Sequence, residues 1–131
     1  MPHQLAVAPD GFRAYLAFSP SLDWDNGLPN RELRSAFAKA ESLQGFAYFA
    51  YSDDHGDWLA LDEALADTLQ LHAPDGLRTV VRSYPAESHT GVPLVALIDA
   101  LRTLYPSYRF HPDNYSKGLA ALDAHYAALS R

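Results

Sequence analysis

A continuous apolar and aromatic run, Phe46–Tyr51, constrains the fold more than any other segment of this chain. It contains no charged residue and lacks the polar–apolar alternation of a strand that has one face in solvent. A short run of this kind is typical of a strand covered on both faces, as in a parallel sheet. The sequence therefore predicts an α/β protein with a buried strand over 46–51.

Two other short apolar segments, 13–18 and 77–84, predict further strands. Amphipathic or apolar patterns between and after them predict helices over 31–42 (with Asn30 as N-cap), from Trp58 to about 71, from Pro93 to about 104, and over 112–131. Parallel strands joined by helical crossovers accommodate this order economically. We expect a single domain over residues 1–131: a three-stranded, mainly parallel sheet flanked by helices, plus a C-terminal helix.

Composition excludes several classes of protein. The 131 residues include no cysteine, which excludes disulfide scaffolds, thiolate metal sites and cysteine nucleophiles. The formal net charge is -6 and there is no basic run, so neither nucleic acid nor an anionic membrane is expected as a partner. No apolar stretch reaches the roughly 20 residues that span a bilayer. The N-terminus lacks the positive region of a signal peptide, and we expect a soluble, cytoplasmic protein.

Acidic residues and a histidine follow two of the predicted strands. Asp53, Asp54 and Asp57 come after 46–51, and His89 comes after 77–84. Open parallel sheets bind ligands outside the carboxyl ends of their strands, so these side chains share one rim. A carboxylate there can accept the Nδ1 proton of a histidine and leave Nε2 free to act as a base. The plainer interpretation is that the aspartates form a turn, with Asp57 capping a helix, and that His89 is a polar surface residue.

Other chemical signals are weak. The nucleophile-elbow motif Gly-x-Ser-x-Gly does not occur in the sequence. His55 lies close to the three aspartates, but their spacing matches no metal-binding loop. We expect no metal and no organic cofactor.

Three segments together resemble an esterase family of the α/β-hydrolase superfamily, which includes enterobactin-esterase-like and S-formylglutathione-hydrolase-like enzymes. Phe12–Leu22 ends in Ser-Pro-Ser-Leu, and Trp24 and Asp25 follow it. The segment 73–102 contains Tyr-Pro-Ala-Glu-Ser-His-Thr-Gly, which is similar to the family's catalytic-histidine loop and is the most specific part of the resemblance. The segment 115–130 resembles the family's closing helix.

The resemblance implies a partial α/β-hydrolase fold and the roles of several residues. His89 matches the catalytic histidine, Asp53 best matches its acid with Asp54 and Asp57 as alternatives, and Trp24 matches an aromatic that lines the acyl pocket, although it also suits the core. The family's nucleophile serine and oxyanion hole precede the segment equivalent to Phe12. The chain is thus expected to be the C-terminal half of a serine carboxylesterase domain, acting on a carboxylic ester only when completed and inactive alone.

A second interpretation is a non-catalytic interaction module. In the family's sheet, the strand equivalent to 13–18 pairs with an upstream strand, and this chain offers no segment for that role. An unpaired strand edge is a template for association. The second hypothesis is therefore a homodimer that assembles through this edge, and a weaker third one is a small-ligand binder that uses the same rim.

Overall fold

A computed structural model describes residues 1–129. The helices are α1 (Pro2–Val7), α2 (Leu28–Phe37), α3 (Asp57–Leu71), α4 (Val92–Leu104) and α5 (Gly118–Leu129), and the strands are β1 (Ala14–Phe18), β2 (Ser42–Tyr51) and β3 (Asp75–Ser83). The chain forms two compact units, one from Met1 to Ala100 and one from Leu101 onward. Helix α4 therefore contributes residues to both units.

The predicted three-stranded parallel sheet is confirmed. The strand order is β1-β2-β3, and both pairs are parallel. Tyr48 of β2 lies opposite Leu16 of β1 and Val80 of β3. The central strand is buried from Phe46 to Ala50, as its unbroken apolar run predicts. The chain thus has a partial α/β fold.

One face of the sheet packs against three helices. Side chains of β1 and β2 that point to this face form a single core with residues of α1, α2 and α3, which includes Tyr15, Ala17, Ala47, Phe49, Leu5, Leu33, Phe37, Leu65 and Leu69. The alternation of side chains along each strand sends the neighbouring residues to the opposite face. This core holds the ends of β2 and β3 in place below the loops that follow them.

On the opposite face of the sheet, a side-chain hydrogen bond joins β2 to α4. The hydroxyl of fully buried Tyr48 donates to Asp99 Oδ2 at 2.7 Å. Burial, together with hydrogen bonds to Tyr84 and Asp99, raises the pKa of Tyr48, so the hydroxyl remains a donor. Helix α4 buries the small side chains Val92, Ala96 and Ala100, whereas the larger stripe that predicted the helix is exposed, namely Leu94, Leu97 and Ile98.

The second helix begins earlier than predicted. Its N-cap is Gly27, which has a left-handed backbone with φ 75°, and the helix ends at Phe37. Strand β2 accordingly starts at Ser42 rather than at 46. Asn30, the predicted N-cap, lies within α2, and its Nδ2 donates to the carbonyl of Leu61 in α3 at 2.7 Å. The prediction of Asn30 as a capping residue was thus wrong, because its side chain joins two helices.

The C-terminal unit differs from the predicted helix over 112–131. Pro112–Lys117 forms a 3₁₀ turn, α5 begins at Gly118, and residues 130 and 131 lie outside the described residues. No described residue of α5 is buried, and Tyr115 and Tyr126 are exposed. The Tyr115 ring stacks on Phe110, with 5.9 Å between ring centroids, and the Tyr126 ring meets Tyr108 edge-on at the same distance. None of the helices within residues 1–129 is long and apolar enough to cross a membrane.

Candidate active site

Backbone hydrogen bonds join the loops that follow β2 and β3. The N–H of Tyr84 donates to the carbonyl of Tyr51 at 2.8 Å, and the N–H of Asp53 lies 3.4 Å from the carbonyl of Glu87. Parallel pairing ends both strands at the same edge of the sheet. The acidic loop and the histidine loop therefore lie side by side, as predicted for a shared rim.

His89 and Asp54 meet at this edge. Nδ1 of His89 lies 3.2 Å from Oδ1 of Asp54. The Asp54 side chain is 7% exposed and that of His89 is 38% exposed. The carboxylate is also held from its other side, because the hydroxyl of buried Ser52 donates to Oδ2 at 2.6 Å. A carboxylate fixed in this way accepts the Nδ1–H of the imidazole and leaves Nε2 unprotonated and available.

The environment of Asp54 favours its charged form. Burial acts to raise the pKa of this carboxyl, but the hydrogen bonds from Ser52 and His89 and the charge of the imidazolium act in the opposite direction and hold the pKa below its usual value. Asp54 is thus an anion near neutral pH. A permanent anion at Nδ1 is the arrangement that a histidine base requires.

The other predicted site residues lie apart from this contact. The side chain of Asp53 is exposed, and Asp57 is an exposed residue in the first turn of α3. Trp24 is 66% exposed in the loop between β1 and α2, and it is not among the residues that line the pocket beside His89. Of the three aspartates, Asp54 is the one that the structure brings to His89.

A small pocket adjoins the histidine. It is lined by Pro20, Ser21, Leu22, Asp23, Asp54, Trp58, Leu61, Asp62 and His89. Trp58 packs edge-on against the His89 ring, with 5.7 Å between centroids. The sequence placed Trp58 only at the start of a predicted helix; it lies in the first turn of α3 and is half exposed. Its closeness to the acidic loop was the available signal.

Sequence reasoning also missed Asp62. This carboxyl lies within the apolar face of α3 and is only 4% exposed. It lines the same pocket as Asp54 and His89, and burial, followed by the charge of Asp54 and hydrogen bonding to it, raises its pKa to about 7. An acidic residue between Leu61 and Leu65 on a buried helix face was the signal, because charged side chains are rarely buried without a partner.

The described residues contain no group of three or more histidine and acidic side chains arranged to hold a metal ion. Within residues 1–129, the side-chain hydrogen bond of His89 is the one to Asp54. Ser21 lines the same pocket without a hydrogen bond to the imidazole in the described chain. The arrangement can therefore take up and return a proton at Nε2.

Comparison with known proteins places the fold. Neither a protein-family model nor a curated protein matches the chain. Among solved structures, the chain is similar to the crystal structure of BES protein from Bacillus cereus, with a TM-score of 0.63 and 20% sequence identity. The match covers 77% of this chain and 39% of that one, so the chain spans well under half of its neighbour's length. A likeness at this identity shows the fold alone.

Proposed function

We propose that this chain supplies the histidine and the acid of a serine carboxylic-ester hydrolase, with His89 as general base and Asp54 as the acid that orients it. The contact between His89 Nδ1 and Asp54 Oδ1 carries the proposal. The esterase resemblance of the segment around His89 supports it, and the structural likeness supports a distant esterase-like fold. Asp54 replaces Asp53 as the preferred acid because its carboxylate, and not that of Asp53, contacts the imidazole.

The chemistry would proceed through Nε2. As a serine hydroxyl attacks the ester carbonyl carbon, Nε2 takes the hydroxyl proton, and Asp54 stabilises the imidazolium through Nδ1–H. The imidazolium then returns the proton to the departing alkoxide, which leaves an acyl-enzyme. Water repeats the cycle and releases the carboxylic acid. We propose that a segment beyond these residues contributes the serine and the oxyanion-hole donors, so that the chain alone has negligible ester turnover.

An activated ester tests the histidine in the chain as it stands. Neutral Nε2 can attack p-nitrophenyl acetate directly: its lone pair bonds to the carbonyl carbon, p-nitrophenolate leaves, and water cleaves the acyl-imidazole to acetate. We expect slow release of p-nitrophenol that falls in His89→Gln to the level set by the other five histidines. Asp54→Asn should slow it because the orienting anion is lost, and Asp53→Asn is the matched control that should not. Equal rates in wild type and His89→Gln would refute the role of His89.

A fluorophosphonate probe tests where the nucleophile lies. Such probes phosphonylate an activated serine with loss of fluoride. We expect no adduct on the isolated chain. A His89-dependent adduct on Ser21, which lines the same pocket, would overturn the proposal that the serine comes from elsewhere.

A second candidate function is that of an interaction module. Strand β1 pairs on one side with β2, and among the described strands none pairs with its outer edge. Edges of this kind invite another strand. We propose self-association through this edge as the alternative, which sedimentation velocity tests.

A further inference from the structure

A second carboxyl lies behind the His89–Asp54 contact. Asp62 comes from α3 and lines the pocket that also contains Asp54 and His89. The Asp54 carboxyl is close enough to raise the pKa of Asp62 through its charge and through hydrogen bonding. Ser52 and His89 bond to the two oxygens of Asp54, and Asp62 lies beside them in the same pocket.

Two carboxyl groups can share a hydrogen bond only if one of them holds a proton. Asp54 accepts hydrogen bonds from Ser52 and His89, and both partners favour its anionic form. Among residues 1–129, no comparable donor bonds to Asp62, which is nearly excluded from solvent. The proton therefore resides on Asp62, whose O–H donates to the Asp54 carboxylate. Burial and the charge of Asp54 hold the pKa of Asp62 near 7, in agreement with this assignment.

We infer that Asp62 is a positioning residue for His89: its protonated carboxyl donates to Asp54 and holds that carboxylate in the orientation that receives Nδ1–H. The inference rests on the proposed function, because it extends the same His89–Asp54 pair by one member. The groups that face Asp62 are Asp54 and His89, with Asp23 lining the same pocket from the loop after β1. When Asp62 ionises, the donor is lost and two adjacent carboxylates repel each other.

Nitrogen-15 NMR of the His89 ring tests this inference on the full chain, with the ring signals assigned through His89→Gln. In wild type, we expect the Nδ1 signal to show a step near pH 7 from Asp62 in addition to the step from imidazole protonation. Asp62→Asn keeps a donor that cannot ionise, so the extra step should vanish while the Nδ1–H tautomer persists at high pH. Asp62→Leu removes the donor, so both the extra step and the preference for this tautomer should be lost. Asp53→Asn should reproduce the wild-type curve.

Superimposable curves for wild type, Asp62→Asn and Asp62→Leu would overturn the inference, because the carboxyl would then only fill space. If Asp62→Leu does not fold, the comparison of wild type with Asp62→Asn decides alone. These outcomes are independent of ester chemistry. Suppose that the NMR curves show the expected dependence on Asp62 but His89→Gln cleaves p-nitrophenyl acetate as fast as wild type. The proposed function would then be rejected, and the link between Asp62, Asp54 and His89 would stand.

Discussion

At the scale of single residues, two neighbouring carboxyls have opposite protonation preferences. Hydrogen bonds from Ser52 and His89 hold the pKa of Asp54 below its usual value against the effect of burial. No such donor bonds to Asp62 in the described part of the chain, and burial raises its pKa to about 7. Pairs of titratable groups whose surroundings separate their pKa values recur at sites of proton transfer, although structural networks also produce them.

The raised pKa of Asp62 predicts how stability depends on pH. Between the usual pKa of 3.8 and about 7, the native protein retains a proton that the unfolded chain has released. The contribution of Asp62 to the free energy of unfolding is therefore complete below that window and falls as pH rises through it, by on the order of 1 kcal/mol per pH unit. Asp54 affects stability in a lower pH range. Because its pKa is lowered in the folded protein, it adds stability at higher pH that is lost as the pH falls below the usual pKa of an aspartate.

Urea unfolding at a series of pH values checks this prediction. Asp62→Asn cannot ionise, so its stability relative to wild type should increase between about pH 4 and pH 7 and stay constant above that. Asp53→Asn, at an exposed position, should run parallel to wild type. A constant difference between Asp62→Asn and wild type over this range would show that Asp62 has an ordinary pKa.

At the scale of elements, the hydrogen bond from Tyr48 to Asp99 links the central strand to α4. Removing the Tyr48 hydroxyl leaves Asp99 with its longer contact to Tyr84, at 3.4 Å, and the nearby Arg82. Tyr48→Phe should lower the free energy of unfolding by about 1 kcal/mol. Tyr51→Phe, on the same strand, is the control, since the Tyr51 hydroxyl has no hydrogen bond within residues 1–129. Equal unfolding midpoints for both variants would show that this link adds no stability.

Periodicity and punctuation were sufficient to predict every strand and most helices. The unbroken run of β2 indicated parallel pairing, and Pro and Gly marked the loops that contain Asp54 and His89. The choice among the three aspartates was out of reach, because it depends on which side chain turns inward beside Ser52. The packed face of α4 could not be predicted either: the helix buries its small residues, so the large apolar stripe did not reveal which face packs.

At the scale of the whole molecule, the outer edge of β1 is the feature to test for assembly. Arg13 accepts the N–H of Phe46 through its carbonyl, and the N–H of Ser19 donates to Ala50. The odd-numbered residues of this segment thus direct their N–H and C=O groups to β2, and Ala14, Leu16 and Phe18 direct theirs to the outer edge. A two-fold axis at this edge would pair β1 with its copy in antiparallel orientation and extend the sheet across the dimer.

Sedimentation velocity over a wide range of concentration tests this assembly. We expect a dimer that dissociates on dilution. Leu16→Pro should abolish it, because proline removes an outward N–H without breaking a bond to β2, and edge strands tolerate proline. Ala14→Pro, at the first residue of the strand, serves if Leu16→Pro does not fold, and the circular dichroism spectrum of each variant reports that fold. A wild-type monomer at all concentrations, or a dimer that both proline variants preserve, would show that β1 does not mediate association.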